Sequence, residues 1–229
     1  CEGNSWTGYK KLREINRAPF MAYFHFDDFD ILCGSPARFI QSHSKRVETR
    51  PIKGTEPRDI NPIKDKENAE KLLASEKDRA ENVMIVDLVR NDLSRVAAKG
   101  TVQVEELFGV YPFKNVNQMI STVTCKTRPE TSNWDILKAT FPMGSMTGAP
   151  KISAMELAEH YEKTERGIYS GALGYVKPNG DFDFNVVIRS IALDGKQGIA
   201  SAHVGGAITI LSVPEREYEE CLLKAESLL

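Results

Sequence analysis

The feature that most constrains this chain is the order of its apolar runs. Short alternating segments come in hairpin pairs, and long helical stretches stand apart from them. Phe20 to Cys33 reads as two aromatic strands around the turn Asp27-Asp28. Arg38-Phe39-Ile40 and Val47-Glu48-Thr49 make a second pair around polar residues. From about Asp65 the spacing changes to steps of three and four, through Leu72, Leu73, Glu76, Ala80, Val83, Met84, Asp87 and Leu88. That period predicts one helix running unbroken to Asp92 or beyond. Val102 to Leu107 and residues 115–127 return to extended chain, and Trp134 to Thr140 predicts a short helix. Phe141 to Lys151 is a turn-rich loop opening a helix, with Pro150 suited to the first helical position. Ala172 to Val176, Phe184 to Leu193 and Gly198 to Val204 predict three more strands, Gly205-Gly206 a turn, and Glu215 to Leu229 a closing helix. Strands in hairpin order with separate helices define an α+β fold, not a doubly wound sheet.

At 229 residues and 41% hydrophobic, the chain is long enough for one large core or two small ones. A net charge of -2 gives no basic surface for nucleic acid. No apolar run approaches the ~18–20 residues of a membrane span, and no signal peptide is seen. Cys1, Cys33, Cys125 and Cys221 form no CxxC pair, and His25, His43, His160 and His203 have no metal-ligand spacing. Scattered thiols of this kind point to a reduced, cytoplasmic protein without a disulfide frame or zinc site. Cys1 in place of a methionine reads as a piece of a longer protein.

Several short patterns carry chemistry. In Pro51-Ile52-Lys53-Gly54-Thr55, a stiff pair and a glycine turn flank a lysine. Such a lysine is either an ordinary loop residue or, held in a closed cleft, a nucleophile. Asp78 and Glu81 share a helix face at a spacing of three, and Glu217, Glu220 and Lys224 share another. Each acidic pair is either a solvated face or half of a magnesium site. Arg189, beside Val186-Val187-Ile188, calls for an anionic partner or sits at a sheet edge. Tyr175 is either a core tyrosine or a cleft hydroxyl. Gly205-Gly206 offers backbone N–H groups to a carboxylate or forms a plain hairpin turn. The loop from Ser145 to Pro150 faces an anion at a helix start or is simply capped.

Taken together and in order, these runs resemble the chorismate-utilising enzymes. The resemblance rests on Ser35-Pro36, Arg38-Phe39, Pro51 to Thr55, Asp78 to Asp92, Gly144 to Lys151, Ser170 to Tyr175, Ile188-Arg189-Ser190 and Glu217 to Lys224, and it spans nearly the whole chain. It implies a sandwich of two large antiparallel sheets with flanking helices. It also implies that residues 1–229 are the C-terminal part of a single chorismate-binding catalytic domain, without the strands that complete its core. Exposed apolar sheet surface, association and loss of activity are expected of such a piece alone.

Within the family, lysine at the Lys53 position marks the aminodeoxychorismate synthase branch, whereas anthranilate-forming members carry alanine. The resemblance therefore implies attack of Lys53 on C2 of chorismate as the 4-hydroxyl leaves, followed by addition of ammonia at C4. Lysine must arrive as the neutral amine. The product, 4-amino-4-deoxychorismate, leads to 4-aminobenzoate and folate. By the same resemblance, Mg2+ is held by Glu81 and Glu220, with Asp78 and Glu217 supporting through water. Tyr175, Arg189 and the Gly205-Gly206 backbone hold the enolpyruvyl carboxylate, Lys224 adds charge near the ring carboxylate, and Gly54, Thr55 and Ser145 line the substrate. A separate glutamine amidotransferase subunit supplies ammonia, with no nucleic acid or membrane partner. The rival readings are an anthranilate synthase component, an isochorismate- or salicylate-forming relative, and a weakly catalytic chorismate-binding subunit. Three positions depart from the family pattern. Ala37 replaces a glutamate that serves as proton donor, Gln118 replaces a histidine, and Ala207 replaces the third glycine of a turn.

Overall fold

The aromatic run folds as its alternation dictates. Strand β1 (Phe20–Phe26) pairs antiparallel with β2 (Phe29–Ser35), Phe26 opposite Phe29, and Asp27 takes a φ of 43° at the reversal. The computed structural model describes residues 4–114, 116–210, 212–226 and 228, so Cys1 lies outside the described residues. The chain forms two units. One comprises Cys1–Ala37, Glu165–Leu173 and Asn185–Leu229, the other Arg38–Thr164 and Gly174–Phe184.

The first unit is built on a four-stranded antiparallel sheet in the order β1-β2-β10-β11, where β10 is Ser190–Asp194 and β11 is Ile199–Ala202. Helix α1 (Ser5–Ile15) starts at Asn4, whose side chain accepts from the Trp6 N–H at 2.8 Å. It buries Tyr9 and Leu12 against Leu32 and Leu228, with Met21, Tyr23, Ile191, Leu193 and Val204 around them. Burial of this kind stabilises by roughly 1.5–3 kcal/mol per large apolar side chain. Helix α6 (Pro214–Glu226) has no buried residue among those described.

The second unit carries a seven-stranded sheet. Its strands are β3 (Arg38–His43), β4 (Arg46–Thr49), β5 (Ile52–Pro57), β6 (Gln103–Pro112), β7 (Val116–Lys126), β8 (Ala172–Val176) and β9 (Phe182–Val186). The order is β5-β7-β4-β3-β9-β8, with β6 along β7. Nine consecutive residues of β7, Asn117 to Cys125, are buried, and Met119 and Val123 are wholly so. Helix α2 (Pro62–Ala74) is capped by Asn61, and α3 (Glu76–Ser94) buries Asn82, Ile85, Val86 and Leu93, one face of the helix. The remaining helices are α4 (Asn133–Thr140), a 3₁₀ turn at Gly144–Met146 and α5 (Lys151–Tyr161).

Four sequence expectations change. The single helix through Asp92 is two helices. Ser75, with ψ of 108°, ends α2, and its Oγ accepts from the Asp78 N–H at 3.3 Å to begin α3. Serine ends helices because its hydroxyl competes for backbone N–H groups. The single strand Phe184 to Leu193 is β9 and β10, broken at residues 187–189. There Ser170 N–H donates to Val187 O, Val187 N–H donates to Gly171 O, and Arg189 has a φ of 49°. The Gly205-Gly206 turn is instead part of an irregular stretch, residues 203–209. Pro150 is the N-cap of α5, one residue before the helix. No helix among the described residues is long and apolar enough to cross a membrane.

Candidate functional site

The surroundings of Lys53 follow from one irregular ladder. In the β5–β7 pair, Ile52 faces Ile120 and Thr55 faces Gln118, so β5 spends three steps where β7 spends two. The extra residue is a bulge at Lys53-Gly54, a device that re-aims a side chain. Gly54 has a φ of 87°, and a Cβ there would sit 2.9 Å from both Asp78 Cβ and Leu72 Cδ1. Only glycine meets both conditions. The bulge therefore lies hard against α3, and Lys53 Nζ stands 3.9 Å from Glu81 Oε2, with 18% and 19% of the two side chains exposed.

A buried polar clamp holds this region. Ser121 N–H donates to Pro51 O at 3.1 Å, and Ser121 Oγ donates to Asn82 Oδ1 at 2.5 Å. Phe108 N–H donates to the same hydroxyl at 3.1 Å, from a residue with φ of 62°. Because a hydroxyl has one proton, that proton is committed to Asn82. Asn82 Nδ2 is the one buried side-chain nitrogen or oxygen without a partner among the described residues. Sequence reasoning missed both Asn82 and Ser121. The available signal was an asparagine on the apolar face shared with Ile85 and Val86.

The Ser145 loop is anchored on the same helix. A Cβ on Gly144 would lie 2.7 Å from Leu88 Cδ2, so the loop meets α3 there. Lys151 Nζ donates to Asp92 Oδ2 at 2.5 Å and to Pro142 O at 2.8 Å. Burial pushes the Asp92 carboxyl up, and the Lys151 ammonium pulls against that shift. Tyr175, on β8, is 56% exposed and is not a core tyrosine. Thr55 is exposed, and Gln118 is buried on β7.

In the first unit the glycine pair lies against α6. Lys224 Nζ donates to Gly205 O at 2.8 Å and pairs with Glu220 Oε1 at 2.5 Å. A Cβ on Gly206 would meet Glu217 Oε2 at 3.0 Å and the Glu220 carboxyl carbon at 3.9 Å. The two glutamates and the lysine thus converge on the glycines. Arg189 has no carboxylate acceptor among the described residues, and burial holds its pKa below the usual arginine range. Its own carbonyl accepts from Gly34 N–H at 3.0 Å. Ala37 accepts from Val186 N–H through its carbonyl and offers only a methyl group as side chain. Ala207 does not adopt positive φ, so the missing third glycine strains nothing.

Nine of the predicted residues therefore fall in two groups, and Thr55, Ser145, Tyr175 and Arg189 are not brought into either. Lys53, Gly54, Asp78 and Glu81 form one, and Gly205, Gly206, Glu217, Glu220 and Lys224 form the other. No set of three or more His, Cys, Asp or Glu among the described residues is arranged to hold a metal. Each group does offer a pair of carboxylates, hard oxygen donors of the kind magnesium takes while keeping several waters.

The match to known proteins covers the whole chain. Residues 1–229 fit the family described as chorismate binding enzyme, and the chain belongs to that family. It is 44% identical over 228 residues to aminodeoxychorismate synthase component 1 of Salmonella typhimurium, covering 100% of this chain and 50% of that protein. It is 43% identical to anthranilate synthase component 1 of Methanothermobacter thermautotrophicus, covering 99% of this chain and 48% of that protein. The crystal structure of anthranilate synthase component I from Streptococcus pneumoniae superposes with a TM-score of 0.90 at 35% identity, covering 100% of this chain and 50% of that one. The chain thus spans about half the length of the curated relatives it matches.

Proposed function

We propose that this chain carries the chorismate-aminating chemistry of an aminodeoxychorismate synthase, in a cytoplasmic enzyme that serves 4-aminobenzoate and folate synthesis. The observation that carries the reading is Lys53 on its glycine bulge, its ammonium 3.9 Å from Glu81 and little exposed. Similarity to aminodeoxychorismate synthases supports the same choice.

In the proposed reaction the neutral Lys53 amine attacks C2 of chorismate. The ring double bonds shift toward C4, and the 4-hydroxyl leaves as water after gaining a proton. Ammonia then adds at C4, the double bonds shift back, and the lysine amine leaves C2. The balance is chorismate plus ammonia giving 4-amino-4-deoxychorismate plus water. Arg189 suits the enolpyruvyl carboxylate because its half-buried charge has no acid beside it among the described residues, a costly state that an external anion relieves. Tyr175, Gly205 and Gly206 share that role, Lys224 adds charge near the ring carboxylate, and Gly54, Thr55 and Ser145 line the substrate. Glu81 and Glu220 would hold magnesium, with Asp78 and Glu217 behind them through water. When bound, the ion neutralises the ring carboxylate. Ammonia comes from a separate glutamine amidotransferase subunit.

The test is product analysis with chorismate, ammonium and Mg2+, followed by intact-mass measurement without ammonium. The expected results are 4-amino-4-deoxychorismate and, in the ammonia-free sample, a dehydrated chorismate adduct on Lys53. Anthranilate as the sole product would overturn the reading in favour of the anthranilate-forming relatives, which are nearly as similar in sequence. Binding without turnover would favour the weakly catalytic subunit, the outcome that the absent acid at Ala37 favours.

A further inference from the structure

Two strand neighbours of β7 carry an extra residue at nearly the same level. β5 spends three steps from Ile52 to Thr55 where β7 spends two, and β6 spends three from Glu106 to Gly109 where β7 again spends two. The first turns of α3 touch both bulges. Asp78 packs against Gly54 and Glu81 meets Lys53 on the β5 side, while the Arg79 guanidinium lies 4.8 Å from the centre of the Phe108 ring on the β6 side. Asn82 reaches Ser121 of β7, and both of these residues are wholly buried. All of these residues belong to the unit that contains Arg38–Thr164.

These contacts close a circuit. Lys53 meets Glu81, and Asn82 follows Glu81 in α3. Asn82 Oδ1 accepts from Ser121 Oγ, Ser121 N–H donates to Pro51 O, and Pro51 leads back through Ile52 to Lys53. An ion pair at 3.9 Å between two flexible side chains fixes little by itself. A buried hydrogen bond of 2.5 Å fixes more, because breaking it strands both groups away from water. We propose that Ser121 and Asn82 are positioning residues for Lys53. They set where α3 sits along β7, and so the direction in which the Lys53 amine meets chorismate. The proposal rests on the reading of Lys53 as the nucleophile and adds what aims it. Asn82 is held by its oxygen alone, since Nδ2 has no partner among the described residues. Its polar anchorage is therefore the Ser121 proton, and the same hydroxyl accepts the Phe108 N–H at 3.1 Å. Loss of either side chain breaks the same bond and loosens both bulges from α3. An amine attacking carbon needs close and aligned approach, so lost aim lowers kcat more than it changes substrate binding.

The experiment compares Ser121→Ala, Asn82→Ala and the double variant with wild type, using circular dichroism to verify folding. Steady-state rates should show kcat lower by about 10–100-fold with KM for chorismate within about 3-fold of wild type. The double variant should be no worse than either single one, because both remove one bond. A second readout needs no turnover. Lysines are methylated with formaldehyde and cyanoborohydride, and the sites are quantified by peptide mapping. Released from Glu81, Lys53 should react at least about 3-fold faster than in wild type. Lys66 and Lys196, which are 77% and 78% exposed, should keep their wild-type rates. Methylation of Lys53 at the wild-type rate in folded variants would overturn the proposal. So would additive losses of kcat, or faster methylation at all three lysines, which is general loosening. If the alanine variants fail to fold, Ser121→Cys, of similar size and with a weak donor, is read in the same two ways. Full activity of Lys53→Ala would instead remove the nucleophile reading, a failure that the methylation rates distinguish from failure of the circuit.

Discussion

The two groups of candidate residues are held in different ways. Around Lys53 the backbone is fixed. A bulge sets the direction of the side chain, Gly54 touches α3, and the buried Asn82–Ser121 clamp joins that helix to the neighbouring strand. Around Gly205 the backbone is irregular, and α6 has no buried residue among those described. Its order comes from charged side-chain contacts, Lys224 with Glu220 and with Gly205 O. A nucleophile must be aimed, since an error of an ångström is costly in rate. A charged group that neutralises a carboxylate tolerates more movement, because Coulomb attraction falls off slowly with distance.

The largest expected effect tests this contrast at the lysines. Lys53→Ala should lower 4-amino-4-deoxychorismate formation by at least about 10³-fold, with product shifting toward anthranilate. Lys224→Ala should lower it by ~10-fold. Steady-state rates with chromatographic product analysis separate the two. Comparable losses would mean that the Lys224 group is as finely set as the other.

Next come the glycines. Gly54→Ala must accept both a positive φ and a 2.9 Å approach to Asp78, and should destabilise by about 2–4 kcal/mol in denaturant unfolding. Gly206→Ala meets the movable end of Glu217 at 3.0 Å and should cost under about 1 kcal/mol. Equal costs would break the distinction between a fixed and an adjustable region.

A gain of function sharpens it further. Ala37→Glu should restore a proton donor and raise the rate by about 10-fold, equivalent to 1.4 kcal/mol. The gain should vanish in the Lys53→Ala background if both residues serve one step. An unchanged rate in Ala37→Glu would show that water or another group already protonates the leaving hydroxyl.

The smallest effect concerns thiols. Burial on β7 pushes Cys125 up to about 11, and burial on β2 also raises Cys33. Cys221 lies partly exposed on α6. Peptide mapping after brief alkylation at pH 8 should find Cys221 labelled well ahead of the other two. Early labelling of Cys125 would show that the packed sheet opens more readily than α6.

Much of this was legible in the chain. The Asp27-Asp28 hairpin, the β3–β4 pair, α4 and α6 follow from side-chain period and turn residues, which act over a few positions. The family runs also gave Lys53, the two acidic pairs and Lys224. Other features have no local signature. Ser75 falls within a continuous period of three and four, so periodicity alone did not show where α2 stops. Val187-Ile188-Arg189 is as apolar as the strands beside it, and its break depends on hydrogen bonds from Ser170 and to Gly171. Asn82 looked like one polar residue in a helix until Ser121, 39 positions away, was placed against it.

Sequence by itself determined the α+β class, the hairpin order, the chorismate binding family and the types of residue available for chemistry. Only the tertiary structure decided how those residues are held. The bulge at Lys53 exists because β5 and β7 are out of step, and register belongs to a pair of strands, never to one. The pairing of Lys53 with Glu81 and the clamp on Asn82 likewise need α3 and its neighbouring strands packed together. Local preferences choose the elements. Contacts between residues far apart in the chain choose the geometry, because burial and hydrogen bonding act through space.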